Sequence, residues 1–195
     1  MQIVAILGSP RKGNSSAIAG RFLTTAEGLG ARTRSFTLND LNYRGCQACF
    51  ACKTGADHCV INDDLAPVLD AIRDADVVVL ATPVYFGDVT GQFKSFFDRA
   101  FSFFTPDYRT AANPSRLAPG KKLVFVQVQG QPDPAFFDDL YPRYDKFFRR
   151  IGFGETFLLR GIGLAGADDA AKRAELLEET DRTVARVLAK GETDW

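Results

Sequence analysis

Gln2-Ile3-Val4-Ala5-Ile6-Leu7-Gly8-Ser9-Pro10-Arg11-Lys12-Gly13-Asn14-Ser15-Ser16 is the stretch from which the architecture can be read. Residues 2–7 form an apolar run rich in β-branched side chains, continuous rather than alternating, as in a strand covered on both faces. The run stops at Gly8, and helical periodicity begins at Ser15. The turn between them lies at the carboxyl end of a strand, where open α/β sheets bind ligands. Its chemistry suits an anion. A helix N-terminus presents unpaired N–H groups, the serines donate hydrogen bonds, and Arg11 and Lys12 bring positive charge. Simple helix capping by Asn14 or Ser15 is the competing reading. A Walker A loop is excluded, because no Gly-Lys-Ser/Thr occurs.

Working outward, comparable apolar runs at 76–81 and 122–128 and weaker ones at 31–37 and 153–160 predict further strands. Helical periodicity falls between them, at 15–29, 63–75, 90–103, 134–151 and 168–190. A β-α unit repeated five times predicts right-handed crossovers, a five-stranded parallel sheet and helices on both faces, an α/β three-layer sandwich. The length of 195 residues suits one domain, 1–195, without internal repeats. Two connections are long, 38–62 and 105–121, and long ordered loops in compact domains tend to be functional. The polar segment 190–195 is expected to be mobile unless Trp195 docks. Basic and acidic residues balance, 24 against 24, which argues against nucleic acid or an anionic membrane surface as partner. With no apolar run of membrane-spanning length and no secretory-type leader after Met1, a cytoplasmic location is expected.

The third strand leads into Thr82-Pro83-Val84-Tyr85-Phe86-Gly87-Asp88, and beyond it Gly91-Gln92-Phe93-Lys94-Ser95-Phe96-Phe97-Asp98-Arg99. Pro83 and Gly87 would shape a loop with exposed backbone groups, while Tyr85 and Phe86 offer apolar faces to a flat ring. Core aromatics beside a proline turn are the bland alternative. The exit of the fourth strand, through Gln129 and Gly130, is expected to add a third wall. Gly161-x-Gly163-x-x-Gly166 matches a dinucleotide fingerprint, but no strand follows to supply the ribose-binding acid, so it reads as a turn.

All four cysteines fall in one segment, 45–60, as Cys46-x2-Cys49-x2-Cys52-x6-Cys59. That is no framework for stapling a whole domain. Cysteines three apart on a turn can direct thiolates to one centre, and a fourth completes all-cysteine ligation of an iron–sulfur cluster. Structural zinc more often uses two separated pairs, and a redox disulfide is also open. His58, beside Cys59, is expected at the surface.

The first loop resembles the G-S-x-R-x-G-N-S loop of the NADPH-dependent FMN reductase branch of flavodoxin-like proteins. The P-V-Y-F-G and G-Q-F-K-S-F-F-D-R segments are similar to the isoalloxazine-contacting motif of the same enzymes and of related quinone reductases. The cysteine spacing resembles that of iron–sulfur flavoproteins, a branch of the same fold. The resemblance implies strand order 2-1-3-4-5. It implies FMN, its phosphate held by Ser9, Arg11, Asn14, Ser15 and Ser16 with Lys12 and Gly13 in the same turn, and its ring by Pro83, Val84, Tyr85, Phe86 and Gly87. It further implies a [4Fe-4S] cluster on Cys46, Cys49, Cys52 and Cys59, and NAD(P)H as hydride donor. Flavin-borne chemistry needs no catalytic side-chain triad. The acceptor would be a quinone, a flavin or a redox protein. Two other readings are an electron carrier exchanging electrons with ferredoxin, without direct NAD(P)H activity, and a zinc-stabilised, non-catalytic nucleotide-binding module. The phenylalanine-rich stretch 96–104 suits a homodimer or homotetramer.

Overall fold

A computed structural model describes residues 1–189 of the chain. The predicted 190–195 tail, and Lys190 at the end of the predicted last helix, lie outside the described residues. The elements run β1 (Gln2–Leu7), α1 (Asn14–Gly28), β2 (Arg32–Thr37), the short α2 (Ala51–Thr54), α3 (Ala66–Asp74), β3 (Val77–Pro83), α4 (Gly91–Arg99), β4 (Lys122–Val128), α5 (Leu140–Arg150), β5 (Glu155–Gly161) and α6 (Ala174–Leu188). All strands pair in parallel in the order β2-β1-β3-β4-β5, as expected for a flavodoxin-like fold.

The continuous apolar runs follow from burial on two faces. On β1, Ile3 and Ala5 pack with Ile18 and Phe22 of α1 and with Val184 and Val187 of α6. Val4 and Ile6 face the opposite way, with Val68 and Ile72 of α3, Phe93 and Phe96 of α4 and Phe148 of α5. The edge strand β2 is the exception, largely exposed, which is why its sequence signal is weak. Register places Leu7 opposite Ala81, Pro83 opposite Val128 and Val128 opposite Gly161. The carboxyl ends of β1, β3, β4 and β5 therefore meet along one rim. The order reverses between β1 and β3, which opens a crevice there.

Several helices are shorter than their periodicity predicts, and tertiary hydrogen bonds explain it. The 63–75 segment becomes helical only at Ala66, because the Asp63 carboxylate accepts from Leu65 N at 3.2 Å and from Arg99 at 2.8 Å. The 134–151 segment becomes α-helical only at Leu140, its start folded as turns in which Asp133 accepts from Ala135 N at 2.9 Å. The 168–190 segment begins with a 3-10 turn, Ala170–Lys172. Likewise the 90–103 segment is α4 followed by a 3-10 turn, Ala100–Phe103. No helix among the described residues is long and apolar enough to cross a membrane.

Candidate functional site: a rim crevice and a cysteine recess

Gly13 occupies the cap position of α1 and has no side chain with which to cap, and Ala17 N, bonded to Gly13 O at 2.9 Å, begins the intrahelical ladder. The earlier N–H groups of the first turn are thus directed out of the helix end, where the partial positive charge favours an anion. Ser9 shapes the loop: its hydroxyl donates to Arg11 O at 2.7 Å and accepts from Arg11 N at 3.3 Å. Thr90 ties the second loop to the first. Its Oγ1 donates to Gly8 O at 2.6 Å and accepts from Phe93 N at 3.2 Å, capping α4, a contribution of about 1 kcal/mol. Gly8 is required for this approach, since a Cβ there would stand 2.9 Å from Phe93 Cβ.

One crevice gathers Ser9, Arg11, Gly13, Asn14 and Ser15 on one side and Pro83, Val84, Tyr85 and Gly130 on the other. Lys12 and Ser16 line a neighbouring hollow on the outer side of the same loop, with Asp40 and Asp168. Phe86 and Gly87 form the tip of a tight turn in which Tyr85 N donates to Asp88 O at 2.8 Å and Asp88 N to Tyr85 O at 3.2 Å. Both tip residues are left-handed, with φ of 48° and 88°, and the Phe86 side chain is wholly exposed. Gln129 is buried and its amide is fully engaged. It donates to Gln131 O and Asp133 O and accepts from Arg160 at 2.8 Å, so its side chain braces the loop rather than facing a ligand.

Asn14 departs from its expected part in the same way. Its amide nitrogen donates to Leu164 O at 3.2 Å and Gly166 O at 2.6 Å, and its Oδ1 accepts from Ala170 N at 2.8 Å. The side chain clamps α1 to the β5–α6 loop, leaving its backbone N–H to face an anion. Through that clamp the loop carrying Gly161, Gly163 and Gly166 brings Leu164 and Ala165 into the crevice, two residues that the sequence did not single out. The signal was available in the glycines: a Cβ on Gly161 would stand 2.5 Å from Leu164, so the turn folds tightly over its own strand.

The four cysteines line a single small recess, together with Phe50, Arg99, Phe101 and Ser102. Cys46 and Cys49 are exposed, Cys52 and Cys59 half-buried, and all four are free thiols. Among the described residues, no three Cys, His, Asp or Glu side chains are placed to hold one metal ion. Ala48 and Phe50, on either side of Cys49, adopt left-handed φ of 50° and 55°. Non-glycine residues seldom adopt this region, so the backbone around Cys49 is held in an unusual conformation. Three cations surround the recess. Lys53 Nζ lies 3.5 Å from Cys52 Sγ while donating to the carbonyls of Phe101 and Phe104 at 2.8 Å. Burial lowers the lysine's pKa, against the opposing pull of Cys52. Arg116 donates to Cys52 O at 2.9 Å. Arg99, wholly buried on α4, pairs with Asp63 at 2.8 Å; burial opposes its charge, but Asp63 and the Cys59 thiol outweigh that and raise its pKa. Tyr43, whose pKa burial and Asp63 push up to about 12, donates to Gln92 O at 2.6 Å and fastens the cysteine segment to α4. His58 is exposed at the surface beside Asp57.

With the two loops and the recess in place, comparison with known proteins is decisive. The profile of the NADPH-dependent FMN reductase family matches residues 1–135. The chain belongs to this family. The matched span contains the first loop, the cysteine segment and the β3 and β4 exits, while β5 and α6 lie beyond it. An iron-sulfur flavoprotein of Methanosarcina thermophila is 40% identical over 101 residues, 51% of this chain and 52% of that protein. An FMN-dependent NADH:quinone oxidoreductase of Burkholderia thailandensis is 32% identical over 108 residues, 55% of this chain and 54% of that protein. The chain thus spans about half the length of the curated relatives it matches. Among solved structures, an FMN-dependent NADH-azoreductase from Bacillus anthracis in complex with FMN superposes with a TM-score of 0.74 at 15% identity, covering 97% of this chain and 100% of that one. That likeness establishes the shared flavodoxin-like fold.

Proposed function

We propose that this member of the FMN reductase family is an NAD(P)H-dependent FMN oxidoreductase whose cysteine recess holds a [4Fe-4S] cluster. The observation that carries the reading is the crevice at the point where the strand order reverses, with an anion-suited loop on one wall and an apolar loop on the other. FMN would supply hydride acceptance and a cluster one-electron exchange, so that electrons could pass onward to a quinone, a flavin or a redox protein.

The chain's own residues have separable parts. The first-turn N–H groups of α1, the Ser15 hydroxyl and the Arg11 guanidinium would receive the phosphate, while the Ser9 hydroxyl, already donating to Arg11 O, shapes the loop around it. Thr90 ties the two loops together and Asn14 fixes the start of α1 to the β5–α6 loop, so little ordering remains for the moment of binding. Pro83, Val84 and Tyr85 would bear on the ring, with Val84 N fixed to Val128 O at 2.7 Å. Lys12, Ser16, Phe86 and Gly87 lie outside the crevice lining, on the back of the first loop and at the tip of the second.

The recess fits an anionic, all-thiolate group: four thiols and three cations. A zinc ion would need thiolates converging at about 2.3 Å from one point. A polynuclear cluster takes thiolates spread around a larger body.

The test is an absorption spectrum of anaerobically purified protein with FMN, iron and acid-labile sulfide quantified on one sample. About four irons and four sulfides beside one FMN per chain are expected, with rapid bleaching of the flavin by NADH or NADPH. Bleaching only by a reduced protein partner would replace the reductase with an electron carrier. Protein without flavin but with stoichiometric zinc would overturn the proposal.

A further inference from the structure

Four buried side-chain atoms find no hydrogen-bond partner among the described residues: Arg99 Nε, Ser102 Oγ, Thr105 Oγ1 and Gln127 Oε1. Two of the four belong to residues lining the cysteine recess, Arg99 and Ser102, which are 1% and 2% exposed. A buried donor left unpaired is costly, more so when charged, and native proteins keep few of them.

Arg99 is not free to turn its Nε toward a protein acceptor. The Arg99 guanidinium is fixed at its other nitrogens, Nη1 donating to Arg44 O at 3.0 Å and Asp63 Oδ2 at 2.8 Å, and Nη2 to Ile61 O at 3.1 Å. Turning Nε elsewhere would break all three. Ser102 sits in the 3-10 turn that continues α4, its own carbonyl accepting from Arg116 Nη1 at 3.0 Å. Lys53 differs from both, since its ammonium is already bound to two carbonyls and contributes charge rather than a free donor. The unpaired N–H and O–H therefore belong to residues three apart in sequence that line one recess with the four cysteines, where the group nearest to an acceptor for Arg99 is the Cys59 sulfur itself.

We propose that Arg99 Nε and Ser102 Oγ are donors to the sulfur atoms of the group held by Cys46, Cys49, Cys52 and Cys59, and that both are positioning residues for its reduction potential. The inference rests on the reading that the cysteines hold an iron–sulfur cluster. Hydrogen bonds to cluster sulfur are among the determinants of potential, and they favour the reduced, more negative state. Removing a donor therefore lowers the potential.

The experiment compares anaerobically purified wild type, Ser102→Ala, Ser102→Thr and Arg99→Lys. Iron and sulfide are counted on each, and the cluster midpoint is read by a dithionite titration followed by electron paramagnetic resonance. Ser102→Ala is expected to keep its iron, shift the cluster midpoint to lower potential and leave the flavin midpoint unchanged, with Ser102→Thr restoring the wild-type value. Arg99→Lys, which keeps the charge but lacks Nε, is expected to shift in the same direction. Ser102→Ala removes one buried oxygen, so it decides the matter even if Arg99→Lys fails to fold. Full iron with an unshifted midpoint in Ser102→Ala would overturn the donor assignment and leave the cluster reading standing. Wild-type protein without iron would overturn both.

Discussion

Helix α4 joins two sites made in different ways. At its start, Thr90 caps the helix and grips Gly8 O, and the neighbouring crevice is held by side chains whose hydrogen bonds are already made, Asn14 and Gln129 above all. At its other end, Arg99 and, in the 3-10 turn that follows, Ser102 each leave a buried donor without a partner, beside a loop held in left-handed conformations at Ala48 and Phe50. The crevice is complete as protein and offers a ligand only backbone N–H groups, hydroxyls and exposed cations. The recess is incomplete as protein, with its charge and its donors in excess of its acceptors. Preorganised sites bind without much rearrangement, whereas unsatisfied ones gain stability from what they bind.

The sharpest way to break this contrast is Arg99→Met. It leaves Asp63 without its cation, and breaking a buried pair costs about 3–5 kcal/mol; denaturant unfolding should show a loss of that size, with the cysteine segment freed from α4. A loss under about 1 kcal/mol would mean that the recess does not depend on the pair, and that surface-like screening governs it. On the crevice side, Asn14→Ala strands two carbonyls and one N–H in the clamp between α1 and the β5–α6 loop. Unfolding should show about 2–3 kcal/mol of destabilisation, and FMN should be lost more readily on dialysis. Unchanged FMN retention in a destabilised protein would show that the clamp supports the fold and not the phosphate loop.

Acid should separate the two ends of α4 more gently. Burial alone would raise the Asp63 pKa, but Arg99 and the N–H groups of Arg44 and Leu65 hold it below the ordinary carboxylate range. A carboxyl depressed on folding contributes stability that is present above its unfolded pKa and lost as pH falls through the folded one. Wild type should therefore lose stability on acidification below about pH 4 more steeply than Asp63→Asn, measured by urea unfolding at a series of pH values. Parallel curves would remove Asp63 from the account of acid sensitivity.

The same contrast explains what could be read from the sequence. Strands β1, β3 and β4 were legible because burial on both faces leaves an unbroken apolar run, and the resemblance of the loops supplied the strand order. The late starts of α3 and α5 were not legible, since they turn on local carboxylates: Asp63, bound across the fold to Arg99, and Asp133, which holds its own turn. The crevice loops could be named from their motifs, but the orientation of Asn14 depends on carbonyls 150 and 152 residues away. The signal for Arg99 was present and unused. Phe93, Phe96, Arg99 and Phe103 recur at helical spacing, and an arginine on such an apolar stripe must find buried partners or a ligand.

The smallest expected effect concerns the tip of the β3 loop, where the preorganised side of the molecule holds strain of its own. Phe86 has φ of 48° and a side chain that buries nothing. A non-glycine residue in that region costs about 1–2 kcal/mol, and a two-residue turn with both φ positive favours Asn-Gly. Phe86→Asn creates that pair without removing any packed surface, so it should raise stability by about 0.5–1 kcal/mol in thermal or urea unfolding. If the exposed ring is there for the flavin or for an acceptor docking on it, the same variant should bind FMN more weakly or raise the acceptor KM. A gain in stability with both constants unchanged would leave the strain without a functional reason, and the crevice would then end at Tyr85.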